Sequence, residues 1–320
     1  MPLIMITLPD FKEKQILFII PQKGGENKLR FSNDNVQLLV NGKPVNQISV
    51  YKLLSIFVIG DFSLTTVFVK KCMEFGVSIF LLKTNFDVYG SIGCAAEGNY
   101  LLRMKQYNLK NEFEIAKNLV KNKIFNQFVL LYKSKKIKKY VSNYKIAALE
   151  IDKCKDEKSL LGIEGNYTRK FFQKFFEDMG WYRRLPRAKV DSTNFLMDIG
   201  YTFLFNFVDC ILRLFGFDTY KGVYHKLFFQ RKSLACDIME PFRCLIDKEI
   251  LKAFNLKQIN EKEFKVKNGK VDLDYSQKKK YLKLFSECVM ANKESIYCYI
   301  RDYYYCVLND KNDFPFFKLK

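Results

Sequence analysis

The first part of the chain alternates short apolar runs with polar clusters, which is typical of a chain that crosses a β-sheet repeatedly. The runs LIMITL, QILFII, KLRFSN, NVQLLV, IFVIG, VSIFLL and DVYGSIG are rich in β-branched and aliphatic residues. Asn41-Gly42 predicts a tight hairpin between two of them, because both central positions of a type I′ turn need positive φ. One helix is predicted where apolar residues recur at helical spacing from Leu64 to Phe75, with Asp61 or Ser63 as its cap.

Beyond about Gly93 the apolar period lengthens to that of helices. Helices are predicted near residues 95–107, 109–134, 140–157, 159–180, 190–216, 233–255 and 276–308, with a small hairpin at FKVKNGKVDL. The predicted fold class is therefore α+β. A β-strand-rich domain over residues 1–92 should precede a larger all-α domain over residues 93–320.

The charge of the chain is strongly unbalanced, with 54 basic and 34 acidic side chains and a net charge of +20. Such a charge favours a polyanionic partner, either nucleic acid or an acidic membrane surface. Nine cysteines without a C-x-x-C pair and a single histidine exclude zinc-finger spacings. They predict reduced thiols in a cytoplasmic protein.

Two features of the sequence argue against a membrane protein. The start, MPLIMITLPDF, lacks the basic region and the small-residue cleavage site of a signal peptide. The most apolar window, Phe195 to Phe217, contains Asp198, Asp209 and Arg213, and three charges at membrane depth would be costly. A buried core helix is the prediction for this window. Peripheral attachment is disfavoured, because the basic residues do not lie opposite a continuous apolar face.

A carboxylate interrupts the apolar stripe of one predicted helix. In SLLGIEGNYTRKFFQKFF, Glu164 lies four positions after Leu160 and three before Tyr167, on the side that should be buried. A buried carboxylate is costly unless it is paired or bound to a metal. Gly162 and Gly165 leave room beside it for a close neighbour such as a phosphate or another backbone. The alternative is a buried glutamate that is bonded to an arginine.

Two more carboxylates lie close together in SLACDIMEPFRCLID, where the period again predicts a helix with Ser233 as its cap. Asp237 and Glu240, at i and i+3, project together and repel each other, so a positive group should lie beside them. Pro241 should bend the helix, since its ring crowds the carbonyl of the preceding turn. The positive candidates in this stretch are Arg231, Lys232 and Arg243.

Together with His225, the only histidine, these carboxylates describe an oxygen-rich site with one nitrogen ligand. The set Glu164, His225 and Glu240, with Asp237 close by, suits Mg²⁺ or Mn²⁺, which prefer carboxylate and water. A hard divalent cation on a basic protein is the arrangement that phosphodiester chemistry needs.

Four blocks of the sequence resemble one known family, that of CRISPR-associated protein one, the integrase subunit of spacer acquisition. The blocks are GIEG at 162–165, DSTNFLMDIGYTFL at 191–204, GFDTYKGVYH at 216–225 and SLACDIMEPFR at 233–243. They are similar to that family's G-x-E-G, D-x-x-N-x-x-L-x-x-G-Y, glycine-turn-histidine and S-L-A-x-D-(hydrophobic)₂-E-x-F-R patterns. Thr219 stands where the family often has proline, which loosens the turn ahead of the histidine without removing a ligand.

The resemblance implies roles for residues and partners. It carries the family's metal ligands onto Glu164, His225 and Glu240, and its additional acid onto Asp237. It implies a homodimer, built largely from the N-terminal strands, that assembles with a small second CRISPR-associated protein on double-stranded DNA. The DNA would be a donor duplex and a CRISPR repeat. Residues expected to contact DNA are Arg187, Asn194, Arg231 and Arg243.

Three functions remain in competition on the sequence alone. The favoured one is a metal-dependent integrase, in which the 3′-hydroxyl of a donor duplex attacks a phosphodiester at the edge of a repeat. A structure-selective nuclease would use water at the same metal. A non-catalytic nucleic-acid scaffold would bind no divalent ion, and its carboxylates would pair with arginines.

Overall fold

The computed structural model describes residues 11–12, 14–21, 25–83, 88–93, 99–181, 183–226, 229–267, 269–310 and 313–320. The predicted strand LIMITL lies outside these residues. The chain forms two compact units. The first comprises Met1–Arg103 with Cys210–Phe217, and the second comprises Met104–Asp209 with Asp218–Lys320. The short segment Cys210–Phe217, which the sequence does not set apart, therefore packs with the first unit rather than with the helices.

Eight strands and one intervening helix lie within the first unit. The strands are β1 (Gln15–Ile19), β2 (Asn27–Ser32), β3 (Asn35–Val40), β4 (Lys43–Ser49), β5 (Leu53–Ile59), β6 (Ser63–Leu64), β7 (Ser78–Leu82) and β8 (Val88–Ile92), and the helix is α1 (Thr66–Glu74). One sheet has the order β1-β5-β7-β8 and the other the order β4-β3-β2-β6. In the first sheet β1, β5 and β7 run parallel and β8 is antiparallel to β7. Apolar side chains of both sheets and of α1 share one core.

Local sequence signals determine one turn and one helix cap in this unit. The turn is as predicted, and the cap is not. Asn41 and Gly42 adopt φ of 50° and 76° between β3 and β4, which confirms the predicted hairpin. The cap of α1 is neither Asp61 nor Ser63, since Thr65 Oγ1 accepts from the Phe68 main-chain N–H at 3.1 Å. Ser63 lies in β6 instead, because its backbone pairs with β2.

The rest of the chain is mainly helical, which confirms the predicted α+β class. The helices are α2 (Tyr100–Tyr107), α3 (Glu112–Lys133), α4 (Val141–Asp152), α5 (Glu157–Phe175), α6 (Ser192–Phe215), α7 (Ser233–Met239), α8 (Arg243–Asn255), α9 (Tyr275–Ala291) and α10 (Lys293–Leu308). The strands β9 (Phe264–Lys267) and β10 (Lys270–Leu273) form the predicted small hairpin.

Helix α6 is long and apolar enough to cross a membrane by length and composition alone. In the structure 83% of its most apolar stretch is buried within the protein, so it is a core helix as predicted. Gly200 permits the close approach of a neighbour, because a Cβ there would lie 2.4 Å from Ile246 Cγ2 of α8. This contact places α6 beside the helices that carry the candidate site.

Two predicted helices are interrupted. The helix expected over 233–255 breaks after Met239, and Glu240–Phe242 form one turn of 3₁₀ helix before α8 begins. The break confirms the predicted effect of Pro241. Ser233 is the first helical residue rather than the cap. The helix expected over 276–308 is two helices that meet at Asn292, although the apolar stripe continues across the junction.

Candidate active site

Glu164 lies on α5, as the apolar stripe predicts. The helix is capped by Asp156, whose Oδ1 accepts from the Ser159 main-chain N–H at 2.8 Å. Its buried side contains Leu160, Phe171 and Phe175. The side chain of Glu164 is only 13% exposed. On the two flanking glycines, Gly162 and Gly165, an added Cβ would meet no atom of the described residues within 4 Å. The backbone beside Glu164 is therefore open to an incoming group.

Lys123 of α3 lies between Glu164 and Glu240. Its Nζ donates to Glu164 Oε1 and lies 2.8 Å from Glu240 Oε2. Burial alone would lower the pKa of this ammonium, but Glu164 and Glu240 more than offset burial and raise the pKa above its ordinary value. The two carboxylates, distant in sequence, therefore face one and the same cation.

Glu240 also faces a second cation. Arg243 Nη2, three residues later on α8, lies 3.1 Å from Glu240 Oε1. Burial would raise the pKa of Glu240, but Arg243 and Lys123 oppose it and bring the pKa down to about 2. Glu240 is thus ionised at neutral pH although it is buried.

Asp237 accepts hydrogen bonds from the main chain of the loop that carries His225. Its side chain is fully buried, and it accepts from the main-chain N–H groups of Val223 at 2.7 Å, Tyr224 at 3.0 Å and His225 at 2.9 Å. The Nδ1 of His225 lies 2.6 Å from Asp237 Oδ1. A carboxylate that receives Nδ1–H leaves Nε2 as the lone-pair nitrogen, which is the usual orienting arrangement for a metal-binding histidine.

Tyr224 links the histidine loop to Glu164. Its hydroxyl donates to Glu164 Oε2 at 3.4 Å, and its ring packs edge-on against His225 with 5.2 Å between ring centroids. Burial, with Glu164 and Glu240 nearby, raises the pKa of Tyr224 far above its ordinary value, so the hydroxyl stays protonated. Glu164, Tyr224 and His225 form one contiguous set of side chains.

The residues expected to contact DNA differ in how exposed their side chains are. Arg187 is exposed, in a left-handed backbone conformation with φ of 62°. The guanidinium of Arg231 donates to the Lys226 carbonyl at 2.6 Å. Arg243 is part of the carboxylate cluster and is about one third exposed. Of these, Arg187 is the most accessible to a phosphate.

Asn194 does not fit the predicted contact with DNA, because its side chain is fully buried. Its Oδ1 accepts from the Leu185 N–H at 2.8 Å and from Arg184 at 3.0 Å, and its Nδ2 donates to the Arg183 carbonyl at 3.1 Å. Asn194 therefore holds the 183–187 loop in place. A polar residue in a motif can serve the fold of a neighbouring loop, and the burial of Asn194 argues against the predicted DNA contact.

The predicted metal ligands are brought together only in part. Among the described residues, no three His, Cys, Asp or Glu side chains are close enough to form a ligand cluster. Two of the three predicted ligands do converge, since Glu164 and Glu240 share the Lys123 ammonium. Glu240 Oε2, although buried, lies 2.8 Å from the Lys123 ammonium. Two hard carboxylates around one stand-in cation fit Mg²⁺ or Mn²⁺.

Lys123 is the residue that the sequence pattern does not reveal. A lysine on an amphipathic helix is usually solvated, and its partner Glu164 lies 41 residues further along the chain. The available signal is its position, one residue before Ile124 and three after Val120, on the buried side of α3. Asn122, Asn126 and Gln127 on the same helix are also buried polar residues.

The chain is similar to known proteins in both sequence and fold. The model of the family described as CRISPR associated protein Cas1 matches residues 23–287. A "CRISPR-associated endonuclease Cas1 1" of Thermodesulfovibrio yellowstonii is 26% identical over 290 residues, which cover 83% of this chain and 89% of that protein.

Solved structures share the fold at lower identity. A Cas1 protein from Thermotoga maritima superposes with a TM-score of 0.81 at 20% identity, covering 95% of this chain and 100% of that one. A casposase bound to integration product gives a TM-score of 0.79 at 18% identity, covering 94% and 93%. A chain of a Cas6-RT-Cas1–Cas2 complex gives 0.78 at 22% identity, covering 96% of this chain and 36% of that one. Since the family model spans most of the sequence, the chain belongs to the family described as CRISPR associated protein Cas1.

Proposed function

We propose that this chain is a metal-dependent DNA integrase of CRISPR adaptation, which joins new spacer DNA to a CRISPR repeat in the cytoplasm. The observation that supports it most is the convergence of Glu164 and Glu240 on a single cation, next to a histidine whose Nδ1 is held by Asp237. The integration product named with the casposase supports joining rather than cleavage alone.

The proposed reaction is a direct transesterification. The 3′-oxygen of the donor strand forms a bond to a phosphorus atom at the edge of the repeat, and the bond from that phosphorus to the 3′-oxygen of the repeat strand breaks. The attacking hydroxyl loses its proton and the departing oxygen gains one, so no external energy source is needed. Mg²⁺ or Mn²⁺, held by Glu164, Glu240 and His225 Nε2, would polarise the phosphate and favour the ionised hydroxyl.

The protein's own residues orient the site and hold DNA. Asp237 fixes the ring of His225 and the turn before it, so the ligand nitrogen is presented in one tautomer. The open backbone around Gly162 and Gly165 gives a phosphate access to Glu164. Exposed basic residues such as Arg187 hold the DNA backbone through charge, in accordance with the net charge of +20.

The proposal includes two protein partners. A homodimer built largely from residues 1–91 is expected, and light scattering that shows a strict monomer at micromolar concentration would contradict it. A small second CRISPR-associated protein is expected to complete the assembly. The presence of Cas2 in the Cas6-RT-Cas1–Cas2 complex supports this expectation.

The test is strand transfer with the purified protein, with and without its small partner, a donor duplex and a repeat-bearing plasmid. Joined donor-plasmid product that requires Mg²⁺ or Mn²⁺ is the expected result. Glu164→Ala should abolish joining while duplex binding persists, since Glu164 is assigned to chemistry rather than to anchoring. Loss of DNA binding together with joining would contradict that assignment of roles.

Two other functions have specific support. A nuclease would use water at the same residues, and it predicts cut but unjoined DNA in the same assay. A scaffold predicts carboxylates neutralised by protein cations, as Glu240 is by Arg243 and Lys123. The scaffold is distinguished by metal titration, because it predicts no Mn²⁺ binding that depends on Glu164.

A further inference from the structure

Lys123 occupies the place between two carboxylates that the proposed function assigns to a divalent ion. Its side chain is 9% exposed, its Nζ is bonded to Glu164 and it lies 2.8 Å from Glu240. A buried ammonium in this position is retained only because it is paired, since an isolated buried charge is very costly. Lys123 is therefore a structural cation of the site in its metal-free form.

The two carboxylates of the proposed ion site are already matched by protein cations. Glu164 and Glu240 are matched by Lys123 and Arg243. Asp237, the next carboxylate, is held by three main-chain N–H groups and by His225. A divalent ion that enters alone would leave an excess of positive charge in a buried region, where such charges interact strongly.

A bound DNA backbone would remove this excess, because each phosphodiester brings one negative charge next to the ion. We propose that Lys123 is a positioning residue that makes divalent-ion binding at Glu164 and Glu240 depend on bound DNA. The proposal rests on the proposed metal centre. By linkage, the factor by which DNA strengthens ion binding is the factor by which the ion strengthens DNA binding.

Removing the lysine charge should uncouple divalent-ion binding from DNA binding. Lys123→Met keeps a long apolar side chain but leaves Glu164 and Glu240 without their shared cation. The variant should bind Mn²⁺ more tightly than the wild type when no DNA is present. Added duplex should then strengthen Mn²⁺ binding much less than it does in the wild type, because Glu164 and Glu240 already carry negative charge that the lysine no longer neutralises.

The experiment is Mn²⁺ titration of the full chain, followed by the electron paramagnetic resonance signal of free Mn²⁺, with and without a short duplex. Glu164→Ala with the same duplex measures the Mn²⁺ that DNA binds by itself. For the wild type, duplex should lower the Kd for Mn²⁺ at least about tenfold. For Lys123→Met, the DNA-free Kd should fall at least about tenfold, and duplex should change it less than about threefold.

Lys117→Met is the matched control, since Lys117 is a buried lysine of the same helix that pairs with Glu114 at 3.0 Å. It should keep the wild-type coupling. Lys123→Arg, which retains the charge, should also keep most of it, and serves if the methionine variant does not fold. Equal Mn²⁺ affinity of the wild type with and without duplex would overturn the inference alone. Absence of Glu164-dependent Mn²⁺ binding in both conditions would overturn the metal centre and the inference with it.

Discussion

His225 is bonded to Asp237 twice, through its main-chain N–H at 2.9 Å and through ring Nδ1 at 2.6 Å, both to the same carboxylate oxygen. The first bond belongs to the backbone and holds the loop, whereas the second belongs to the side chain and directs the ring. Val223 and Tyr224 add two main-chain donors to the other oxygen. The conformation of this loop and the orientation of the imidazole ring can therefore be tested separately.

His225→Ala should lose strand transfer but keep its fold. The substitution removes the ring, while the main-chain donors to Asp237 remain and the loop stays closed. Loss of a ligand should lower activity by more than the roughly 10- to 100-fold that is typical for a residue that only orients a ligand. Activity in Mg²⁺ and in Mn²⁺, together with a melting curve, measures the effect. Near wild-type transfer by a folded variant would remove the histidine from the site and leave a carboxylate-only centre.

Gly222→Ala should disturb the same loop from its backbone. A Cβ at this position would lie 2.7 Å from Asp237 Oδ2 and 2.8 Å from the main-chain carbon of Ser233, so the loop or α7 must shift. Thermal unfolding should show a clear loss of stability, of about 1–3 kcal/mol, together with reduced strand transfer.

Gly162→Ala is the matched control, because its Cβ would meet no described atom within 4 Å and the residue lies within α5. It should raise stability by about 0.5–1 kcal/mol, since alanine loses less backbone entropy than glycine in a helix. A Gly222→Ala protein as stable and active as the wild type would show that the close approach to Asp237 is not required.

Local signals explain which parts of this fold follow from the sequence. The Asn41-Gly42 hairpin and the break at Pro241 were predicted because each depends on the conformational limits of one or two residues. The junction at Asn292 was missed because the apolar stripe keeps its period across it. The cap at Thr65 was missed because several polar residues precede that helix and only the backbone path selects one.

The candidate site shows the same division. Glu164, Asp237 and Glu240 stand out as carboxylates at positions where the helical period favours burial. Lys123 does not stand out, because its role depends on the packing of α3 against α5, which brings together residues 41 positions apart. Asn194 was assigned to DNA from a motif, but its contacts with the 183–185 backbone are visible only in three dimensions.

Asn126→Leu should weaken the attachment of the segment 313–320 and of the turn that carries Glu240. Asn126 Nδ2 donates to the carbonyls of Phe317 and Pro241 at 3.1 Å each, and its Oδ1 accepts from the Leu319 N–H at 2.9 Å. Leucine is of similar size but leaves these backbone groups without that partner, at a cost of about 1–3 kcal/mol for each buried group left unsatisfied.

Chemical denaturation measures the free energy of unfolding, and a joining assay measures strand transfer. Both quantities should be lower in Asn126→Leu than in the wild type. Asn143→Leu is the control, since Asn143 is a partly exposed residue of α4 whose amide donates to the Lys139 carbonyl, within the same stretch of chain, at 2.9 Å. Its effect should stay within about 0.5 kcal/mol. Equal stability of the two variants would show that Asn126 does not tie the segment 313–320 to the Glu240 turn.

Asp247→Asn should change the pH dependence of stability. Burial raises the pKa of Asp247 to about 7, although a hydrogen bond from Tyr201 and the charge of Arg243 oppose the shift. Between the ordinary value of 3.8 and about 7 the folded protein holds a proton that the unfolded chain has lost. The contribution of Asp247 to the free energy of unfolding is therefore fully present at low pH and declines as pH rises through that range.

Asparagine cannot ionise, so the variant lacks this decline, while all other groups titrate alike in both proteins. The stability of the variant relative to the wild type should increase from about pH 4 to about pH 8 by up to about 4 kcal/mol, since one pKa unit corresponds to about 1.4 kcal/mol. Urea midpoints of both proteins across this range measure the difference, and any constant cost of the asparagine amide cancels from its pH dependence. A stability difference that stays constant with pH would show that Asp247 titrates at the same pH in the folded and unfolded states.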